Sequence, residues 1–90
     1  MEYIITFTST SFAMKAEKTL IAQKLQVGVL PLPSQISAGC GLCLRIKPKE
    51  IQPAMTLLLD AQLGEVGLYS RLMENGRYVY QPVKSIQTPL

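Results

Sequence analysis

Apolar residues recur with two different periods along this chain, and the order of those periods limits the class of fold that it can adopt. Alternation at every second residue predicts β-strands, whereas recurrence at about 3.6 residues predicts helices. We predict strands over Tyr3–Thr8, Val27–Leu32, Leu42–Lys47, Val66–Met73 and Tyr78–Val83. We predict helices over Phe12–Leu25 and Pro48–Ala61. The chain therefore reads β-α-β-β-α-β with one further strand.

Residues at the predicted boundaries agree with this pattern. Ser9-Thr10-Ser11 supplies hydroxyl groups that can cap the first helix. Pro31 and Pro33 have no N–H to give to a central ladder, so the second strand belongs at a sheet edge. Asn75-Gly76 predicts a two-residue hairpin turn between the last two strands.

This order of elements predicts an α+β, ferredoxin-like split βαβ fold. Two helices would cover one face of an antiparallel sheet, and the C-terminal hairpin would add an extra edge strand. The predicted buried helix positions are Phe12, Ala13, Ala16, Leu20 and Ile21, followed by Ile51, Ala54, Met55, Leu58 and Leu59. In this topology the loop after the first strand and the loop between the second and third strands meet at one end of the sheet.

Size and composition favour a single packed domain over residues 1–90. An apolar fraction of 48% is well above the range of disordered chains. A net charge of +3 with dispersed basic residues gives little support to nucleic-acid binding. We find no run of about 18 apolar residues and no basic leader, so we expect no membrane association and a cytoplasmic location. In that reducing compartment a permanent disulfide is not expected.

Both cysteines lie in one short segment, Pro33–Arg45, which is the part of the sequence that most indicates a chemical role. Cys40 stands between Gly39 and Gly41, where we expect an accessible sulfur and a backbone that another molecule can approach closely. Cys43 follows in a C-x-x-C arrangement at the start of a strand. The predicted topology brings Cys40 to the amino end of the first helix, which stabilises a thiolate and would make Cys40 a nucleophile.

Several chemistries are excluded by what the chain lacks. There is no histidine, so Cys-His and Ser-His pairs and His-bearing zinc sites cannot form. Two cysteines cannot complete a tetrahedral zinc site within one chain, although a site shared between two subunits stays open. No Walker or Rossmann glycine motif is present, and we expect neither a cofactor nor a metal.

A set of segments in unbroken order resembles the selenium/sulfur (Se/S) carrier protein-like family, a small bacterial family. The segments are Phe7-Thr8-Ser9-Thr10, Ala13–Leu20, Leu30-Pro31-Leu32-Pro33, Ile36–Leu42 and Arg45. The resemblance covers about residues 1–69, and the Cys40-Gly41 pair after a Pro-x-Pro segment is its most specific element. It implies that Cys40 accepts sulfur or selenium as a persulfide-type adduct from a donor such as a cysteine desulfurase. The adduct would then pass to an acceptor enzyme, so the protein would be a carrier more than a complete enzyme.

Two features depart from the family pattern. Cys43 stands where the family more often has a small or apolar residue, and it raises the chance of a Cys40–Cys43 disulfide. The hairpin and tail cover about residues 66–90, and the part after Tyr69 goes past the usual end of the domain and could build a homodimer interface.

Other interpretations stay open at this point. Cys43 is either a possible resolving thiol or a small residue that faces the sheet. The main role expected for Ser9, Thr10 and Ser11 is to cap the helix, and contact with a substrate would be secondary. The Arg45 side chain either attracts an anionic substrate or is simply a solvated charge on an open sheet. The protein could instead be a non-catalytic dimerisation or ligand-binding module whose dimer depends on Val79 and Tyr80. A third alternative is a Cys40/Cys43 dithiol redox protein.

Overall fold

A computed structural model describes residues 1–84, which form one antiparallel sheet and two α-helices. The elements in chain order are β1 (Glu2–Phe7), α1 (Thr10–Ala22), β2 (Val27–Pro31), β3 (Leu42–Ile46), a 3-10 turn (Pro48–Glu50), α2 (Ile51–Asp60), β4 (Val66–Glu74) and β5 (Arg77–Pro82). The α+β class, the five antiparallel strands and the two helices are therefore confirmed.

The strands lie in the order β2-β3-β1-β4-β5, with β2 and β5 at the two edges. β3 separates β1 from β2, so the chain crosses over β3 through α1. Because β1 and β3 run antiparallel, the end of β1 lies beside the start of β3. The loop that contains Cys40 therefore meets the start of α1, as the sequence predicted.

Helix α1 begins two residues before its predicted start. Ser9 has an extended backbone conformation and its Oγ accepts the N–H of Phe12 at 3.3 Å, which makes Ser9 the N-cap. The helix ends at Ala22, and Lys24 adopts a positive φ of 64°. Leu25 consequently lies outside the helix in which it was predicted.

The two faces of the sheet bury different clusters. On the helix side, α1 and α2 pack against Ile5, Phe7, Leu44, Ile46 and Leu68. On the opposite side, which we call the open face, a smaller cluster contains Ile4, Ile36 and Cys43, with Leu30, Leu32, Tyr69 and Tyr80 packed around it. The segment around Ile36 thus covers part of the face that the helices leave bare.

Two of the predicted buried helix positions are exposed. Ile21 is 53% exposed and Leu59 is 73% exposed, so both predictions were wrong. The buried stripe of each helix consists of three residues, Ala13, Ala16 and Leu20 in α1 and Ile51, Ala54 and Leu58 in α2. Ile21 and Leu59 each follow the last residue of such a stripe and face water. Leu63, which lies after α2, is buried in the core.

The open face also carries an ion cluster across β3, β1 and β4. Glu2 pairs with Arg71 on β4, and its other carboxylate oxygen lies 3.5 Å from Nε of Arg45 on β3. Arg71 is only 8% exposed and its guanidinium stacks 4.0 Å from the ring centre of Tyr78. Within residues 1–84, no helix has both the length and the apolar character needed to span a lipid bilayer.

Candidate functional site

Cys40 lies at the amino end of α1. Its Sγ is 3.5 Å from Oγ1 of Thr10, the first residue of the helix, and it accepts the N–H of Leu42 at 3.3 Å. Two hydrogen-bonding groups therefore face the sulfur, and both suit a sulfur that carries negative charge. The expected placement of Cys40 beside the start of the first helix is confirmed.

The expected accessibility of this sulfur is wrong. Cys40 is 2% exposed and belongs to the helix-side core cluster, although Gly39 and Gly41 on either side of it are exposed. The loop backbone passes over the surface while the side chain turns inward beneath α1. A residue between two glycines has no periodic neighbours that set the direction of its side chain, so the sequence pattern does not conflict with this inward orientation.

The two glycines beside Cys40 have different structural requirements. A Cβ added to Gly39 would lie 2.5 Å from the carbonyl oxygen of Thr8, so the loop packs directly on the backbone after β1. A Cβ added to Gly41 would meet no heavy atom of the described residues within 4 Å. Gly39 is therefore needed for packing, whereas the surface at Gly41 is open.

The loop is also held by backbone hydrogen bonds. The N–H of Leu32 donates to the carbonyl of Gly41 at 2.9 Å, and the N–H of Ile36 donates to Pro33 at 3.0 Å. These contacts, with the Gly39 contact, hold Cys40 against Thr10.

Cys43 lies in a different environment from Cys40. It is completely buried in the open-face cluster, and its Sγ donates to the carbonyl oxygen of Pro31 at 3.7 Å. Burial raises the pKa of the Cys43 thiol, a raise that the nearby Arg71 partly offsets. Both thiols are free. The two cysteines of the C-x-x-C segment thus pack on opposite sides of the sheet.

The other predicted site residues are not all gathered around Cys40. Thr10 contacts the sulfur and Ser9 caps the helix, while Ser11 is exposed. Arg45 lies on the open face, where it pairs with Glu2 and its guanidinium lies over Gly28. Arg45 therefore serves the ion cluster and does not reach the helix-side environment of Cys40.

A cleft that the sequence did not reveal adjoins the Cys40 loop. Its volume is about 510 Å³, and its walls are Thr6, Phe7, Thr8, Ser37, Ala38, Gly39, Glu65, Val66, Gly67 and Tyr69. Cys40 itself is not part of this lining. A glycine inside a strand pattern, as at Gly67, is the signal that could have pointed to it, since such a glycine marks a close approach.

Comparison with known proteins gives one family. The family model described as "Putative Se/S carrier protein-like" matches residues 2–70, which include the Cys40 loop and end within β4. No curated protein and no solved structure matches the chain significantly.

Proposed function

Since the chain belongs to the Se/S carrier protein-like family, we propose that it carries sulfur or selenium on Cys40 and relays it between two partner proteins. The observation that supports this proposal most directly is the environment of the Cys40 sulfur. Sγ receives the Leu42 N–H at 3.3 Å and lies 3.5 Å from the Thr10 hydroxyl, at the positive end of α1. These groups would stabilise a thiolate on the Cys40 sulfur.

The transfer needs no net oxidation or reduction. The Cys40 thiolate attacks the outer sulfur of a donor persulfide, the S–S bond of the donor breaks, and the donor leaves as a thiolate. Cys40 then carries the outer sulfur together with its proton. Delivery repeats the exchange, because an acceptor thiolate attacks the outer sulfur on Cys40 and regenerates the Cys40 thiolate. Selenium would be carried as the corresponding selenosulfide.

The burial of Cys40 makes movement of residues 37–41 part of the proposed cycle. The sulfur becomes reachable when the Leu32–Gly41 hydrogen bond opens and the loop lifts from Thr8. Gly41 is the natural point of approach, since the surface there has no side chain and no neighbouring atom of residues 1–84 within 4 Å of an added Cβ.

We assign the carrier role to Cys40 alone. Cys43 lies in the opposite cluster, and burial disfavours its thiolate. A Cys40–Cys43 disulfide would require a side chain to leave its core, which supports a packing role for Cys43 over the resolving role.

We further assign the sheet to the ferredoxin-like class. The order β2-β3-β1-β4, with β3 between β1 and β2 and every pair antiparallel, supports this assignment. β5 is then an addition at the β4 edge.

The proposal is tested by loading the protein from a persulfide donor. The purified chain is incubated with a cysteine desulfurase and cysteine, and its intact mass is measured without reductant. We expect one sulfur atom to be added to the wild-type protein and to Cys43→Ser, and none to Cys40→Ser. Equal addition to Cys40→Ser, or no addition to the wild type, would refute the assignment.

A second variant tests the sulfur environment separately from the nucleophile. Thr10→Val removes the hydroxyl beside Sγ and keeps the shape of the side chain. We expect slower loading and a shorter lifetime of the adduct, whereas Thr19→Val, on the same helix but bonded only to the carbonyl of Lys15, leaves both unchanged. Equal behaviour of the two variants would remove Thr10 from the mechanism.

A further inference from the structure

The outer edge of β5 is unpaired. Within residues 1–84, β5 pairs with β4 on one side and with no strand on the other. The Asn75-Gly76 turn has two residues at positive φ, 50° and 78°, which makes Glu74 and Arg77 the hydrogen-bonded pair that closes the hairpin. Hydrogen-bonded pairs then alternate along the ladder, so the backbone groups of Tyr78 and Tyr80 point away from β4.

This hairpin exposes apolar side chains on both of its faces. Leu72 is 42% exposed, Met73 is 58% exposed and Tyr78 is 43% exposed. Edge strands are commonly protected by charged residues, by proline or by a β-bulge. β5 has its charge at the first residue, Arg77, and its proline at the last, Pro82, so its centre is unprotected.

We propose that β5 pairs with β5 of a second copy of this chain, antiparallel, around a two-fold axis at Val79. The outward backbone groups require that even-numbered residues oppose one another. With the axis at Val79, Tyr78 of each copy opposes Tyr80 of the other. The backbone N–H and C=O groups of these two residues can then all form hydrogen bonds across the interface. Moving the axis to Tyr80 would place Tyr78 opposite Pro82, which has no N–H. Moving it to Tyr78 would place Tyr80 opposite Gly76 in the turn.

The side chains in this register are compatible with one another. Tyr78 and Tyr80 face each other on one side of the joined sheet, and aromatic pairs of this kind stabilise antiparallel strands. On the other side Val79 faces itself, beside the exposed Leu72. Arg77 opposes Gln81, so no two like charges meet along the edge.

The partner that fits is therefore another copy of the same chain. The edge is self-complementary, as a two-fold interface demands. The residues that form it lie after residue 70, beyond the family match, so this inference does not depend on the carrier function.

Sedimentation of charged variants at residue 79 tests the register. The wild-type chain is expected to sediment as a dimer that dissociates on dilution. Val79→Lys places two ammonium groups across the axis, and Val79→Glu places two carboxylates there, so each variant alone is expected to be a monomer. An equimolar mixture of the two variants is expected to restore a dimer, because Lys then faces Glu.

The opposite edge provides a matched control. Val29 on β2 is 38% exposed, and Val29→Lys is expected to leave the dimer intact. A monomeric wild type at all concentrations, a dimer that survives Val79→Lys, or loss of the dimer in Val29→Lys would each overturn the proposal. Retention of the wild-type circular dichroism spectrum shows that a variant remains folded.

A covalent test covers the case in which the charged variants do not fold. Facing residues in a non-hydrogen-bonded pair have Cα atoms about 4.5 Å apart, within the range of a disulfide. In a Cys40→Ser, Cys43→Ser background, Val79→Cys is expected to form a covalent dimer on mild oxidation, and Val29→Cys is expected to remain a monomer. Equal crosslinking of the two would refute the register.

Discussion

Substituting Gly39 by alanine should destabilise the protein, whereas the same change at Gly41 should not. The new Cβ at residue 39 would lie 2.5 Å from the Thr8 carbonyl oxygen, while ordinary contact begins at 3.4 Å. The oxygen belongs to the backbone, and the backbone of residue 39 fixes the position of the Cβ, so neither atom can rotate away. Overpacking of this kind costs about 1–3 kcal/mol, and loss of chain entropy in the unfolded state returns about 0.4–1 kcal/mol.

With the middle of each range, the expected net loss for Gly39→Ala is about 1.3 kcal/mol. In a domain of this size, that corresponds to a fall in Tm of roughly 5–10 °C. Gly41→Ala meets no atom of the described chain and has no positive φ, so it should be neutral or slightly stabilising. Urea unfolding of the wild type and the two variants gives the change in unfolding free energy for each substitution, provided that the slope of that free energy with urea concentration is the same in all three.

A thiol-reactivity assay connects this packing to Cys40. If the Gly39–Thr8 contact keeps the loop closed, Gly39→Ala should speed the alkylation of Cys40 under native conditions, and Gly41→Ala should not. Equal stability of the two variants, or equal alkylation rates, would show that the loop is not held against Thr8 as described.

Three further predictions follow from single contacts. Burial raises the pKa of the Cys43 thiol, so its contribution to the unfolding free energy is present below the ordinary pKa of a thiol and is lost as the pH rises above that value. Urea unfolding as a function of pH should therefore show a smaller loss of stability at alkaline pH for Cys43→Ala than for the wild type. The hydrogen bond from Arg71 holds the pKa of Glu2 below its ordinary value. The ion pair therefore stabilises the folded state at any pH above the ordinary pKa of a carboxyl group, and this stabilisation is lost as the pH falls through the lowered pKa of the folded state. Glu2→Gln should cost about 1–3 kcal/mol at neutral pH and flatten the acid side of the stability curve; an unchanged curve would refute the role of this pair. Ser9→Ala should cost about 1 kcal/mol by leaving the Phe12 N–H without its cap, and Ser9→Asp should restore most of it; equal melting temperatures would contradict the cap.

The sequence predicted the order of the elements because their hydrophobic periods differ clearly. It also predicted the meeting of Cys40 with the amino end of α1, since that follows from topology alone. It did not predict the burial of Cys40, because a residue between two glycines has no periodic neighbours that indicate its direction.

The errors at Ile21 and Leu59 have a related cause. Helical periodicity gives the apolar side of a helix but not the width of the stripe that its neighbours cover. The cleft beside Gly39 was missed because its walls come from three separate segments that only the folded chain brings together.

The inward turn of the Cys40 side chain has a consequence for reactions with small oxidants. If Cys40 carries sulfur as proposed, peroxide and dissolved metal ions would meet the closed loop before the Cys40 sulfur, and would oxidise it more slowly than an exposed thiol. Selectivity would then depend on which macromolecule has the shape to raise the loop, and a scavenging thiol of low molecular weight would be a poor competitor.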